Sequence, residues 1–174
     1  TGKNVICFGD SITFGYGANP GEDYPSLLSK MTRIPVINAG IDGDTTVEAV
    51  KRIKSDALDR DPLLVIVEFG GNDFLRKIPL DETLRNIEEI IQKIHSCGAM
   101  VALTDVSAGV IMSGYRKEFR RLSKKYNTIF IPHLLNHILT HPSLKSDSVH
   151  PNADGYKLIA QRVYQAIISY LKPE

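Results

Sequence analysis

The apolar run Val5-Ile6-Cys7-Phe8 ends abruptly at Gly9-Asp10-Ser11. In an open α/β sheet, ligands bind outside the carboxyl ends of the strands, so a hydroxyl at such a stop is well placed to act as a nucleophile. Gly-Asp-Ser is also ordinary turn composition. The chemical reading of Ser11 therefore depends on three partners: a base, an acid that orients the base, and donors for a developing oxyanion.

Of the five histidines, His150 has the most telling surroundings, Asp147-Ser148-Val149-His150-Pro151-Asn152. An acid three residues ahead can accept from the imidazole Nδ1–H within one turn, which fixes the tautomer and leaves Nε2 to take a serine proton. Pro151 biases His150 toward extended backbone. Donors are available in two further turns. Gly70-Gly71-Asn72-Asp73 follows an apolar run and can present the Asn72 amide, while Gly43, in Asn38-Ala39-Gly40-Ile41-Asp42-Gly43-Asp44-Thr45, can present a backbone N–H.

These segments need a scaffold that brings them to one edge. Apolar, often β-branched runs alternate with segments of helical period, the pattern of a parallel sheet covered on both faces. Strands are expected at 4–8, 36–38, 63–69, 100–104 and 128–131, and helices at 23–31, 46–60, 80–97, 113–126 and 152–171. Right-handed crossovers then give a single α/β domain over 1–174. It would be a three-layer α/β/α, flavodoxin-like fold with a five-stranded parallel sheet of order 2-1-3-4-5. The segments after strands 1, 2 and 3 share one rim in that order. The His150 segment follows strand 5, three spacings or about 14 Å away at ~4.8 Å each. The connection from Pro132 to Ser146 can extend ~45 Å, enough to return over the rim.

Phe8-Gly9-Asp10-Ser11, Gly43 in Ile41-Asp42-Gly43-Asp44-Thr45, Gly70-Gly71-Asn72-Asp73 and Asp147-Ser148-Val149-His150-Pro151 occur in the order of the SGNH (GDSL-type) hydrolase blocks. The chain resembles that superfamily over nearly its whole length. Within it, the chain is most similar to the small bacterial esterases called thioesterase I, lysophospholipase or arylesterase; Val36-Ile37-Asn38-Ala39 and Val67-Glu68-Phe69 also match that branch. The resemblance implies Ser11 as nucleophile, His150 as base and Asp147 as its orienting acid. It also implies an oxyanion hole from the Ser11 and Gly43 N–H groups and the Asn72 side chain, with Gly40 an alternative to Gly43. Asp10 and Asp73 would be turn supports. The expected activity is hydrolysis of carboxylic esters or thioesters of small or lipid-like acyl groups through an acyl-enzyme, with no cofactor and no metal.

Phe74, Leu75 and Ile78 after strand 3, and Val110, Ile111 and Met112 after strand 4, are candidates for an apolar acyl groove. His133, His137 and His141 recur every four residues, a spacing that would stack imidazoles on a continuous helix. Pro132 and Pro142 confine any helix there, so polar loop residues are the preferred reading over a metal site. Lys plus Arg 21 against Asp plus Glu 20 leaves no basic excess and argues against nucleic acid as a partner. No run approaches the ~18 residues of a membrane span, and two cysteines cannot build a disulfide framework. The residues suit a soluble protein, either cytoplasmic or exported with a leader removed, of open oligomeric state. Two rival readings are an SGNH carbohydrate acetylesterase, weakened by the absence of Trp, and a non-catalytic flavodoxin-like binding module with Ser11 and Thr13 cradling a phosphate. Asp10 would repel a phosphate there.

Overall fold

The computed structural model describes residues 2–107 and 112–171. Its sheet has five parallel strands, β1 (Asn4–Gly9), β2 (Val36–Gly40), β3 (Pro62–Glu68), β4 (Met100–Thr104) and β5 (Ile129–Ile131), in the expected order β2-β1-β3-β4-β5. Side chains alternate across each strand, and both faces are covered. On one face, Val5, Cys7, Leu64, Ile66 and Ala102 pack against α2 (Tyr24–Thr32) and α7 (Ala153–Leu171). On the other, Ile6, Phe8, Val65, Val67 and Leu103 meet α3 (Thr46–Asp56), α5 (Leu80–Ser96) and α6 (Ser113–Tyr126). Burial on both sides is why β3 reads as an unbroken apolar run. Among the described residues, no helix is long and apolar enough to cross a membrane.

Several boundaries differ from the sequence expectation for local reasons. The helix expected to run to residue 60 stops at Asp56. Ala57 (φ −130°, ψ −56°) breaks the period, and a single 3-10 turn at Leu58–Arg60 carries the chain into β3. The buried stripe of α3 is Thr46, Ala49 and Ile53, with Val47 and Val50 only partly covered. Two short helices escaped the periodicity reading because four or five residues are too few to show it: α1 (Ser11–Phe14) and α4 (Gly71–Leu75). Both start where a strand ends, and they hold Ser11 and Asn72.

The connection after β5 carries its three histidines as loop residues, as expected, but it also buries apolar side chains. Leu134 and Ile138 are fully buried against α7 and the sheet, and the chain folds back over the rim in successive turns. His133 and His137 have positive φ (56° and 63°), so the segment is not helical and the three imidazoles do not stack. Among the described residues, no group of three metal-ligating side chains converges.

Candidate active site

Ser11 opens α1 directly after β1. Asp10 caps that helix, its Oδ1 accepting from the Ile12 N–H (3.0 Å), and Gly15, in the left-handed region at φ 94°, closes it after one turn. The serine is thus held on a tight strand-to-helix bend and is 7% exposed. Within the described residues its backbone N–H has no acceptor, as expected of a first-turn helical amide.

The histidine arrives from the far edge of the sheet. Asp147 Oδ1 accepts from the N–H groups of Val149 and His150 (2.8 Å each), while Oδ2 takes the imidazole Nδ1 at 2.7 Å. The Ser146 N–H donates to the His150 carbonyl (3.0 Å) and closes the loop. His150 Nε2 then lies 3.1 Å from Ser11 Oγ, 139 residues away in sequence. The hydrogen bond from His150 first, and the two backbone donors with it, hold the Asp147 carboxyl down at about 2. The acid therefore stays ionised well below the pH range in which imidazoles ordinarily titrate. The Tyr16 ring packs on the imidazole, centroids 4.3 Å apart, and its carbonyl accepts from the buried Tyr156 hydroxyl of α7 (2.8 Å).

The other two turns meet Ser11 on the same rim. Asn72, in α4, donates to the Asp44 carbonyl (2.9 Å) and, by a longer bond of 3.3 Å, to Asp10 Oδ2. Asp73 is fully buried. It accepts from the Thr46 N–H (3.0 Å) and from the hydroxyls of Thr46 and Thr83, so it ties α4 to α3 and α5. Gly43 has φ 78°, which favours glycine, and its carbonyl accepts from Arg76 (2.6 Å). Its N–H has no acceptor among the described residues. Gly40 serves a different purpose: its N–H donates to Asn38 Oδ1 (2.9 Å), and a Cβ there would sit 2.1 Å from the Phe14 nitrogen. It permits close approach of α1 to β2. Arg52, unnoticed in the sequence, bonds Asp44, the Ala39 carbonyl and the Gly9 carbonyl and lies over the Phe8 ring, clamping the ends of β1 and β2.

A cavity of about 250 Å³ opens beside Ser11 and His150. Of the expected groove residues, Phe74, Leu75 and Met112 line it. Ile78 does not; it lines an adjoining hollow with Lys77, Leu80 and Tyr115 that shares Phe74 and Leu75 with the cavity. Val110 and Ile111 lie outside the described residues. Gly43 is not on the cavity wall either, while Asn72 is. Ile12, Val106, Leu135, Leu139 and Val149 complete the apolar lining. The Leu134-Leu135…Ile138-Leu139 pattern in the long connection was the available signal for two of them.

A family model described as "GDSL-like Lipase/Acylhydrolase family" matches residues 7–158. The chain belongs to this family. Membership makes it a carboxylic ester hydrolase of the SGNH type, and the comparisons agree across most of its length. It is 26% identical over 167 residues to the Escherichia coli K12 "Thioesterase 1/protease 1/lysophospholipase L1", covering 90% of this chain and 79% of that protein. It is 27% identical over 183 residues to an "Arylesterase" of Vibrio mimicus, covering 97% and 90%. The solved structure of the psychrotrophic esterase EstA from Pseudoalteromonas sp., inhibited by monoethylphosphonate, superposes with a TM-score of 0.87 at 27% identity, covering 97% and 98%.

Proposed function

We propose that this GDSL hydrolase is a serine esterase in which Ser11, His150 and Asp147 form the catalytic triad, acting on esters or thioesters with an apolar acyl chain. The observation that carries this is the continuous hydrogen-bonded path from Asp147 Oδ2 through the His150 ring to Ser11 Oγ at the edge of an apolar cavity. Ser11 Oγ attacks the acyl carbon as His150 Nε2 takes its proton, and Asp147 stabilises the resulting imidazolium. The oxyanion receives the unpaired N–H groups of Ser11 and Gly43 and the Asn72 amide. One Asn72 N–H is committed to the Asp44 carbonyl, which fixes the amide plane; the other, on the long bond to Asp10, is the one the oxyanion would share. The imidazolium protonates the departing alcohol or thiol, and water, activated by the same histidine, then releases the acid.

Apolar walls from five separate segments favour hydrocarbon over sugar as the acyl portion. Exposed Leu75 and Val149 at the cavity extend that apolar surface outward. The test is labelling by a fluorophosphonate: it should modify Ser11, and Ser11→Ala should abolish both labelling and ester hydrolysis. Hydrolysis surviving undiminished in Ser11→Ala refutes the nucleophile. A p-nitrophenyl ester series should peak beyond acetate; a maximum at acetate refutes the acyl-chain assignment.

A further inference from the structure

Among the described residues, one buried side-chain polar atom finds no hydrogen-bond partner: Glu68 Oε1. Glu68 is the last residue of β3, pairs in register with Gly9 of β1 and is 1% exposed. Its other oxygen, Oε2, is fully used, accepting from the Thr13 hydroxyl (2.8 Å), the Thr13 N–H (3.2 Å) and the Asp10 N–H (3.4 Å). The Asp10 backbone N–H reaches Oε2, which puts a second buried acid, Asp10 (3% exposed), beside Glu68, and the two carboxyls act on each other. Two carboxylates have only acceptors to offer each other, so one of the pair must carry a proton for them to bond.

The surrounding donors decide which. Both oxygens of Asp10 already receive an N–H, Oδ1 from Ile12 and Oδ2 from Asn72, as an ionised carboxylate requires. Glu68 Oε1 receives none. The chain of donors also runs one way. Because the single hydrogen of the Thr13 hydroxyl goes to Glu68, the Tyr24 hydroxyl, 3.0 Å away, must donate to Thr13 rather than accept from it. Burial first, and the Asp10 carboxylate second, push the Glu68 acid far above the ordinary range. The other titratable groups facing the pair are Tyr24 from α2, Cys7 from β1, Asp73 from α4 and Tyr156 from α7, with His150 a basic neighbour across the serine.

We propose that Glu68 is an un-ionised carboxylic acid at neutral pH whose Oε1–H donates to Asp10, making it the positioning residue of the nucleophile turn. Among the described residues, Asp10 is the only side chain that bonds both the Ser11 helix, through the Ile12 N–H, and the Asn72 amide. A proton donated from beneath holds the Asp10 carboxylate in one rotamer, and with it the spacing between nucleophile and oxyanion donor. Gly9 fits this arrangement: a Cβ at residue 9 would lie 2.7 Å from Glu68 Oε2 and 2.0 Å from the Thr13 hydroxyl. The positioning role rests on Ser11 and Asn72 acting as proposed above, whereas the protonation state does not.

The test combines infrared spectroscopy with two variants of the full chain. At neutral pH, the wild-type protein should show the C=O stretch of a buried un-ionised carboxylic acid, absent in Glu68→Gln. Glutamine keeps the shape and supplies an N–H to Asp10 and an oxygen to Thr13, so it should rescue turnover. Glu68→Met, similar in length but without a donor, should lose about a hundredfold in kcat with little change in KM, the scale of a catalytic group misplaced by ~1 Å. Absence of the band, or its survival in Glu68→Gln, overturns the protonation assignment. Turnover as poor in Glu68→Gln as in Glu68→Met overturns the positioning role. If Glu68→Met does not fold, the band and the Glu68→Gln kinetics decide between the same outcomes. Failure of Ser11 to label in wild-type protein refutes the nucleophile and leaves the infrared result untouched.

Discussion

Replacing Gly9 with alanine should damage both stability and the nucleophile turn, and the structure gives the size of the effect. The new Cβ would stand 2.0 Å from Thr13 Oγ1, 2.7 Å from Glu68 Oε2 and 2.8 Å from the Glu68 carbonyl oxygen. None of these can yield cheaply. Thr13 has no exposed surface and Glu68 almost none, and the Glu68 backbone belongs to β3 in register with β1. Overpacking a core costs about 1–3 kcal/mol, and leaving a buried hydrogen-bonding group unpaired costs roughly another 1–3 kcal/mol. The expected destabilisation is therefore about 2–6 kcal/mol, or ~5–20 °C in Tm for a chain of this size. Thermal and urea unfolding followed by circular dichroism would measure it, with Gly114→Ala as the control. At Gly114, in α6, the nearest atom to an added Cβ is 3.9 Å away, so alanine should stabilise by about 0.4–1 kcal/mol. Gly9→Ala should also slow fluorophosphonate labelling of Ser11. A Gly9→Ala protein within ~0.5 kcal/mol of wild type, labelling at the normal rate, refutes the claim that the missing side chain makes room for the buried acid.

Asp147→Asn should reduce kcat by about 10⁴ by offering the imidazole the wrong partner, with unfolding essentially unchanged because the carboxyl is 41% exposed; steady-state kinetics showing less than a ~10-fold loss would contradict its role. Because its folded pKa is depressed from 3.8 to about 2, the Asp147–His150 interaction stabilises the fold above the unfolded value and is lost as pH falls through about 2. Its exposure keeps that contribution small, so wild type should exceed Asp147→Asn in stability by only a small margin above pH ~4, and the two should converge as pH falls through about 2. Leu139→Trp should fill the cavity wall and lower the rate ratio of octanoate to acetate p-nitrophenyl esters by at least ~10-fold; an unchanged ratio would move the acyl chain elsewhere.

Much of this protein is legible without coordinates because its information is local. The β-branched runs, their alternation with helical periods and the right-handed rule for crossovers are enough to order five parallel strands. That order puts the stops at Ser11, Gly43 and Asn72 on one rim. Asp147 and His150, three residues apart, form their hydrogen bond within a single loop. Other features depend on contacts that no local pattern encodes. Leu135 and Leu139 line the cavity because the path of the 132–146 connection is set by burying Leu134 and Ile138 against α7. Tyr16 meets His150 only after the chain has returned across the sheet.

Glu68 is the clearest case. In sequence it is an acid at the end of an apolar strand. Register with Gly9, 59 positions before it, buries it beneath the nucleophile beside a second carboxyl. The residues by themselves determine that the chain makes this sheet and carries a serine, a histidine and an acid suited to acyl transfer. Tertiary structure decides which polar groups face one another behind them. Burial there limits access to water, so the positions of neighbouring donors and acceptors weigh heavily on where each proton resides.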